Sequence, residues 1–130
     1  MSNRFEDRKI RIKEVRDKFL RFHKALMDRE RQNYENEVGS VSPGRFLELL
    51  LGDKRFAWLR VLSTLIVRID EAFDLDDGLS SEMIYGFFEE SRNLFDDSEE
   101  YQEFKERLRI ALDANSDAVV LKKEIEKLLK

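Results

Sequence analysis

The feature that most constrains the fold is a run from Arg4 to Asn36 that contains neither glycine nor proline. Within it Phe5, Ile12, Val15, Phe19, Phe22 and Leu26 fall on a heptad seam, the spacing that lines up one face of an α-helix. The run therefore predicts one long amphipathic helix. At 1.5 Å per residue it would extend about 50 Å, longer than the body of a small domain, so it must either bend or project. After Leu26 the seam positions are taken by Arg29 and Asn33. The last third is thus expected to be the least packed part, with a hinge within Glu35 to Val41.

Start and stop signals divide the remainder. Ser42 before Pro43 has the form of an N-cap followed by a proline at the first helical position. It opens a short helix through Leu51, with Gly52 expected to stop it in a left-handed conformation and Asp53 to cap the next. That next helix carries Trp58, Leu59, Leu62, Leu65, Ile66, Ile69 and Phe73 at helical spacing and is expected to be central. Asp74 to Gly78 reads as a turn, and Ser80 or Ser81 opens a helix containing Met83, Ile84, Phe87, Phe88 and Phe95. Gly86 in its middle costs about 1 kcal/mol relative to alanine, which suggests a close helix approach or space for something bound. Asp97 and Glu100 have the spacing of a capping box for a fifth helix bearing Tyr101, Phe104, Leu108, Ala111 and Leu112. A last helix carries Val120, Leu121, Ile125, Leu128 and Leu129. The expectation is an all-α bundle of five to six helices with a long N-terminal helix, forming a single domain over residues 1–130.

Composition excludes whole classes of chemistry. The absence of cysteine removes disulfides, thiol nucleophiles and cysteine-based zinc sites, and a single histidine removes histidine-rich metal sites. Charged residues at 40% are too many for a membrane protein, and the longest apolar stretch, Phe56 to Phe73, is broken by Arg60 and Arg68. The first residues lack the apolar core of a signal peptide. A cytoplasmic protein without membrane contact is expected.

Charge is unevenly spread. Asp70 to Phe104 holds thirteen acids and one base, Arg92, whereas Met1 to Asn36 holds eleven bases and seven acids. The two regions are electrostatic complements, either neutralising each other within the fold or leaving an acidic face for a basic protein partner. The acidic middle repels phosphates, and the net charge of −4 weakens any nucleic-acid reading of the basic helix.

Four features suggest chemistry, and each has a plainer explanation. Asp113, Asn115, Asp117 and Glu124 resemble an EF-hand calcium loop, but Ala118 replaces the turn glycine and Leu121 stands where a polar ligand is usual. A helix stop and cap explains the same residues. His23 borders the seam and has no serine, cysteine or metal partner in view, so a structural hydrogen bond is expected. Asp70 is expected to pair with an arginine or His23, with Arg68 too close in sequence to share its face. Trp58 and Arg60 are of types common at interfaces, although Trp58 is in register with the core stripe.

The stretch His23-Lys-Ala-Leu with Glu30 and Tyr34, then Pro43, Leu49-Leu50, Phe56-Ala-Trp-Leu-Arg60, Leu62-Ser63 and Arg68-Ile-Asp70-Glu71, resembles small bacterial helical-bundle proteins of uncharacterised function. The likeness covers about the first half and implies a bacterial cytoplasmic origin but no functional residues. The resulting expectation is a non-enzymatic interaction or regulatory module without a cofactor. It would bind a protein partner or itself through Phe5, Ile12, Val15, Phe19, Trp58 and Arg60, as a homodimer along the first helix. The alternative is a bundle binding a small ligand or metal near Gly86, Trp58 and the aromatic cluster.

Overall fold

The computed structural model describes residues 4–75 and 77–130. These form six α-helices and one 3-10 turn, with no strand among the described residues: α1 (Arg4–Val38), α2 (Pro43–Gly52), the 3-10 turn (Lys54–Phe56), α3 (Ala57–Phe73), α4 (Ser81–Asn93), α5 (Gln102–Ala111) and α6 (Ser116–Leu128). The all-α bundle with a long first helix matches the expectation from periodicity.

Helix α1 is the spine. Its seam residues Ile12, Val15, Phe19, Phe22 and Leu26 are fully buried, packed chiefly against α6 and α3 and to a lesser extent against α4 and α5. Each such side chain removes on the order of 2 kcal/mol of apolar surface from water, so this stripe alone fixes where the other helices lie. From the other side, α6 contributes Ala118 and Ile125, both fully buried, and Leu129 just past its end. No residue of α1 beyond Leu26 is buried, as the polar seam positions foretold. That segment is held instead by α2 and the 3-10 turn: Tyr34 meets the Phe56 ring at 5.8 Å, and Phe46 meets Phe56 edge-on at 5.6 Å. Arg31 donates to the Val41 carbonyl at 2.8 Å. The chain reverses through Gly39, whose φ of 95° lies in the left-handed region that glycine enters without steric cost.

Several helix starts follow the sequence signals. Ser42 and Ser80 accept hydrogen bonds from the backbone N–H of Arg45 and Met83, each at 3.1 Å. Asn115 accepts from the Ala118 N–H at 3.3 Å and starts α6. Four expectations need correction. Asp53 does not cap the central helix: it accepts from the Arg55 N–H at 2.8 Å and caps the intervening 3-10 turn, while α3 begins after Phe56 without a side-chain cap. Gly52 does not enter the left-handed region, and α2 runs through it to end at Asp53, which leaves in an extended conformation. The residue pair Asp97 and Glu100 does not open α5. The helix begins at Gln102, after Tyr101 turns the chain with a φ of 57° and no side-chain cap. Asp96 meanwhile uses its carboxylate locally, accepting from the Ser98 N–H. Finally, α4 ends at Asn93, so Phe95 lies in the following turn, where it packs against Phe19 and Phe22.

Candidate functional site

The side chains expected to meet a partner are spent inside the fold. Ile12, Val15 and Phe19 are fully buried, Phe5 packs against the core, and Trp58 is 3% exposed beside Phe104. The heptad seam of α1 finds its partner helices within the same chain, so a homodimer along it would require opening the core. Arg60 is half-buried and donates to the Leu50 carbonyl at 2.7 Å, joining α3 to α2. The indole N–H of Trp58 is buried without a hydrogen-bond partner among the described residues.

The charged candidates also have local duties. Asp70 pairs with Arg16 on α1 at 2.5 Å, not with His23. His23 is half-buried; burial lowers its pKa, and a hydrogen bond to the Leu59 backbone opposes that shift. Glu30 shows the mirror case, because burial raises its pKa while the charges of Arg55 and Arg107 oppose the rise. Of the calcium-like quartet, Asn115 caps α6 and also donates to the Ala25 carbonyl at 3.4 Å, while Glu124 pairs with Lys18. Among the described residues no group of three or more histidine, aspartate or glutamate side chains is placed to hold a metal ion.

What the fold does present is a groove between the C-terminal half of α3 and the N-terminal part of α4. Its walls are Arg68, Glu71, Ala72 and Leu75 on one side and Met83, Gly86, Phe87 and Glu90 on the other, enclosing 520 Å³. Both sets have the spacing i, i+3, i+4, i+7; Met83 to Glu90 lie along α4, whereas Arg68, Glu71 and Ala72 lie along α3 and Leu75 continues the row in the turn just past its end. Ala72 and Phe87 form a nearly buried floor, whereas Leu75 and Met83 stand 47% and 38% exposed. Gly86 neither permits a close helix approach nor relieves a strained backbone. A Cβ placed there would meet nothing within 4 Å, so the glycine leaves the trough wide.

Arg68 closes the end toward α5. Its guanidinium bonds both carboxylate oxygens of Glu90, at 2.9 and 2.8 Å, and lies over the Phe87 ring 5.9 Å from its centre. The other end opens at the α3–α4 turn, where Gly78 reverses the chain with a φ of 73°. Another cleft, between Arg92, Phe95 and Leu129, is smaller at 370 Å³, and Arg92 spans it with a hydrogen bond to the Leu129 carbonyl.

The groove and Trp58 do not form one site. Trp58 lies fourteen residues before Ala72 on α3, about 20 Å along the helix axis. Sequence periodicity pointed to Gly86 but missed the rest of the groove. Met83 and Phe87 fit the core stripe of α4, and Leu75 fell in a polar turn. The available signal was Glu71 and Glu90, acids set beside the apolar stripes at the same spacing as the groove residues. Comparison with known proteins adds no relative: no family model, curated protein or solved structure matches this chain.

Proposed function

We propose that this chain is a non-enzymatic protein-interaction module whose docking face is the α3–α4 groove. The observation that carries this reading is the pair of exposed apolar side chains, Leu75 and Met83, over a floor made wide by Gly86. Covering each would yield on the order of 1 kcal/mol. A mid-helix glycine that packs against nothing lowers the stability of α4, which is understandable if the space it leaves is used. The volume falls in the range of small-molecule sites, but the trough lies open to solvent and would leave much of a compact ligand uncovered.

The test is a photo-reactive amino acid at position 83 in cells producing the protein, with the same group at Lys123 on α6 as control. The expected outcome is a discrete protein adduct at position 83 that is absent at position 123 and disappears when Gly86→Leu fills the groove. An adduct formed equally at both positions, no adduct at 83, or one indifferent to Gly86→Leu would overturn the assignment.

A further inference from the structure

We infer that the occupant of this groove is a basic amphipathic helix of another protein, an inference that rests on the docking reading above. The first argument is charge. Of the acids between Asp70 and Phe104, Asp70, Glu89, Glu90 and Asp96 have ion-pair partners. Glu71 in the groove wall, Asp74 and Asp77 in the turn at its open end, and Glu82 beside Met83 have none among the described residues. The basic first helix therefore reaches this region through Arg16 and leaves Glu71, Asp74, Asp77 and Glu82 without a counter-charge among the described residues. The arrangement is unfavourable locally as well. The last turn of α3 carries no base, so Glu71 and Asp74 sit at the negative end of the helix dipole, where cations are preferred. Arg68, the one base lining the groove among the described residues, is already matched by Glu90. A cationic partner would supply what the chain itself lacks.

Shape selects the form of that partner. Apart from Leu75 in the turn after α3, the walls are helical and their backbone groups are bonded internally, so the groove offers no sheet edge to an extended peptide. An occupant on this apolar floor must satisfy its own backbone, as a helix does. Two ridges of i, i+3, i+4, i+7 spacing form a trough for a third helix with apolar residues at the same period and lysine or arginine on its flanks. A second copy of the chain is a poor source of such a helix, because α1 and α6 bury their apolar stripes in their own core.

A displayed library of 18-residue helical peptides with randomised charge and apolar pattern tests this when selected on the wild-type protein and counter-selected on Gly86→Leu. The expected winners are net positive, with apolar residues at i, i+3 or i+4, and i+7. Their synthetic forms would bind at least about tenfold more weakly to Gly86→Leu and to Glu71→Lys/Asp74→Lys, and more weakly as salt is raised. Both variants would retain the wild-type circular-dichroism spectrum. Winners that are neutral or acidic yet lost on Gly86→Leu would overturn the basic partner while leaving the docking groove intact. Absence of any peptide distinguishing wild type from Gly86→Leu would overturn both. Concentration-dependent dimerisation in sedimentation, abolished by Gly86→Leu, would replace the partner helix with a second copy.

Discussion

Helices α1 and α6 pack closely along their shared length, whereas α3 and α4 meet far less and border an open trough. At the first interface the apolar stripes meet face to face: Ile12, Val15, Phe19, Ala118 and Ile125 are all fully buried. Its rim is fastened by Lys18 to Glu124 and by Asn115 to the Ala25 carbonyl. At the second, Leu75 and Met83 remain partly in water, a glycine occupies a wall, and Glu71, Asp74 and Glu82 have no ion-pair partner among the described residues. The contrast teaches that an apolar residue at helical spacing is not yet a core residue. Which other helix comes to lie against it decides whether an apolar stripe is covered.

The contrast is sharpest under truncation. Ile125→Ala on α6 is expected to lower the free energy of unfolding by about 2–4 kcal/mol, because the surrounding packing cannot collapse into the cavity. The corresponding Met83→Ala in the groove is expected to cost under about 1 kcal/mol, since Met83 is already partly in water. Urea denaturation of both variants checks the pair; equal losses would erase the distinction between the two interfaces.

Glycine and alanine swaps invert the sign. Gly86→Ala is expected to stabilise by about 1 kcal/mol through helix propensity alone, since the added Cβ meets no neighbour. Ala118→Gly in α6 is expected to destabilise by about 1 kcal/mol or more, because it also removes a fully buried methyl group. Thermal melting reads both, and a destabilised Gly86→Ala would mean that the groove is closed in solution.

Ion pairs should matter less at either interface. Arg68→Ala breaks the contact that one guanidinium nitrogen makes with both Glu90 oxygens, but the Arg68 side chain is 49% exposed, so a loss below about 1 kcal/mol is expected, shrinking further at high salt. A larger, salt-independent loss would show that the clasp holds α3 and α4 together.

The smallest effect concerns pH. Burial depresses the folded-state pKa of His23 below its ordinary value of 6.5, so the unfolded chain binds the proton first on acidification. The contribution of neutral His23 is fully present above pH 6.5 and is lost as pH falls from there through the depressed folded value. His23→Gln is expected to flatten the pH dependence of the melting temperature in that window; an unchanged slope would assign the dependence to other groups.

Much of this architecture was legible because it rests on local rules. The seam of α1, the caps at Ser42 and Ser80 and the stripe of α3 each depend on residues a few positions apart. Two kinds of feature were not. The α1 seam reads the same whether its partner helix comes from this chain or another, and the decisive partner, α6, meets it across separations from 90 residues at Ala25–Asn115 to 106 at Lys18–Glu124. For that reason Phe5, Ile12, Val15 and Phe19 resembled a dimer face. The start of α5 was misplaced because Asp97 and Glu100 fit a capping box, while Tyr101 adopts the left-handed turn without any local signal for it. Of the groove, only Gly86 was visible, since its walls exist only once the fold has set α3 and α4 side by side.

The most direct measurement joins stability and docking in one variant. Gly86→Leu is expected to melt about 3–5 °C above the wild type while losing the photo-adduct formed from position 83. A lower melting temperature, or a stable variant that still forms the adduct, would contradict the view that α4 gives up stability there to keep the groove open.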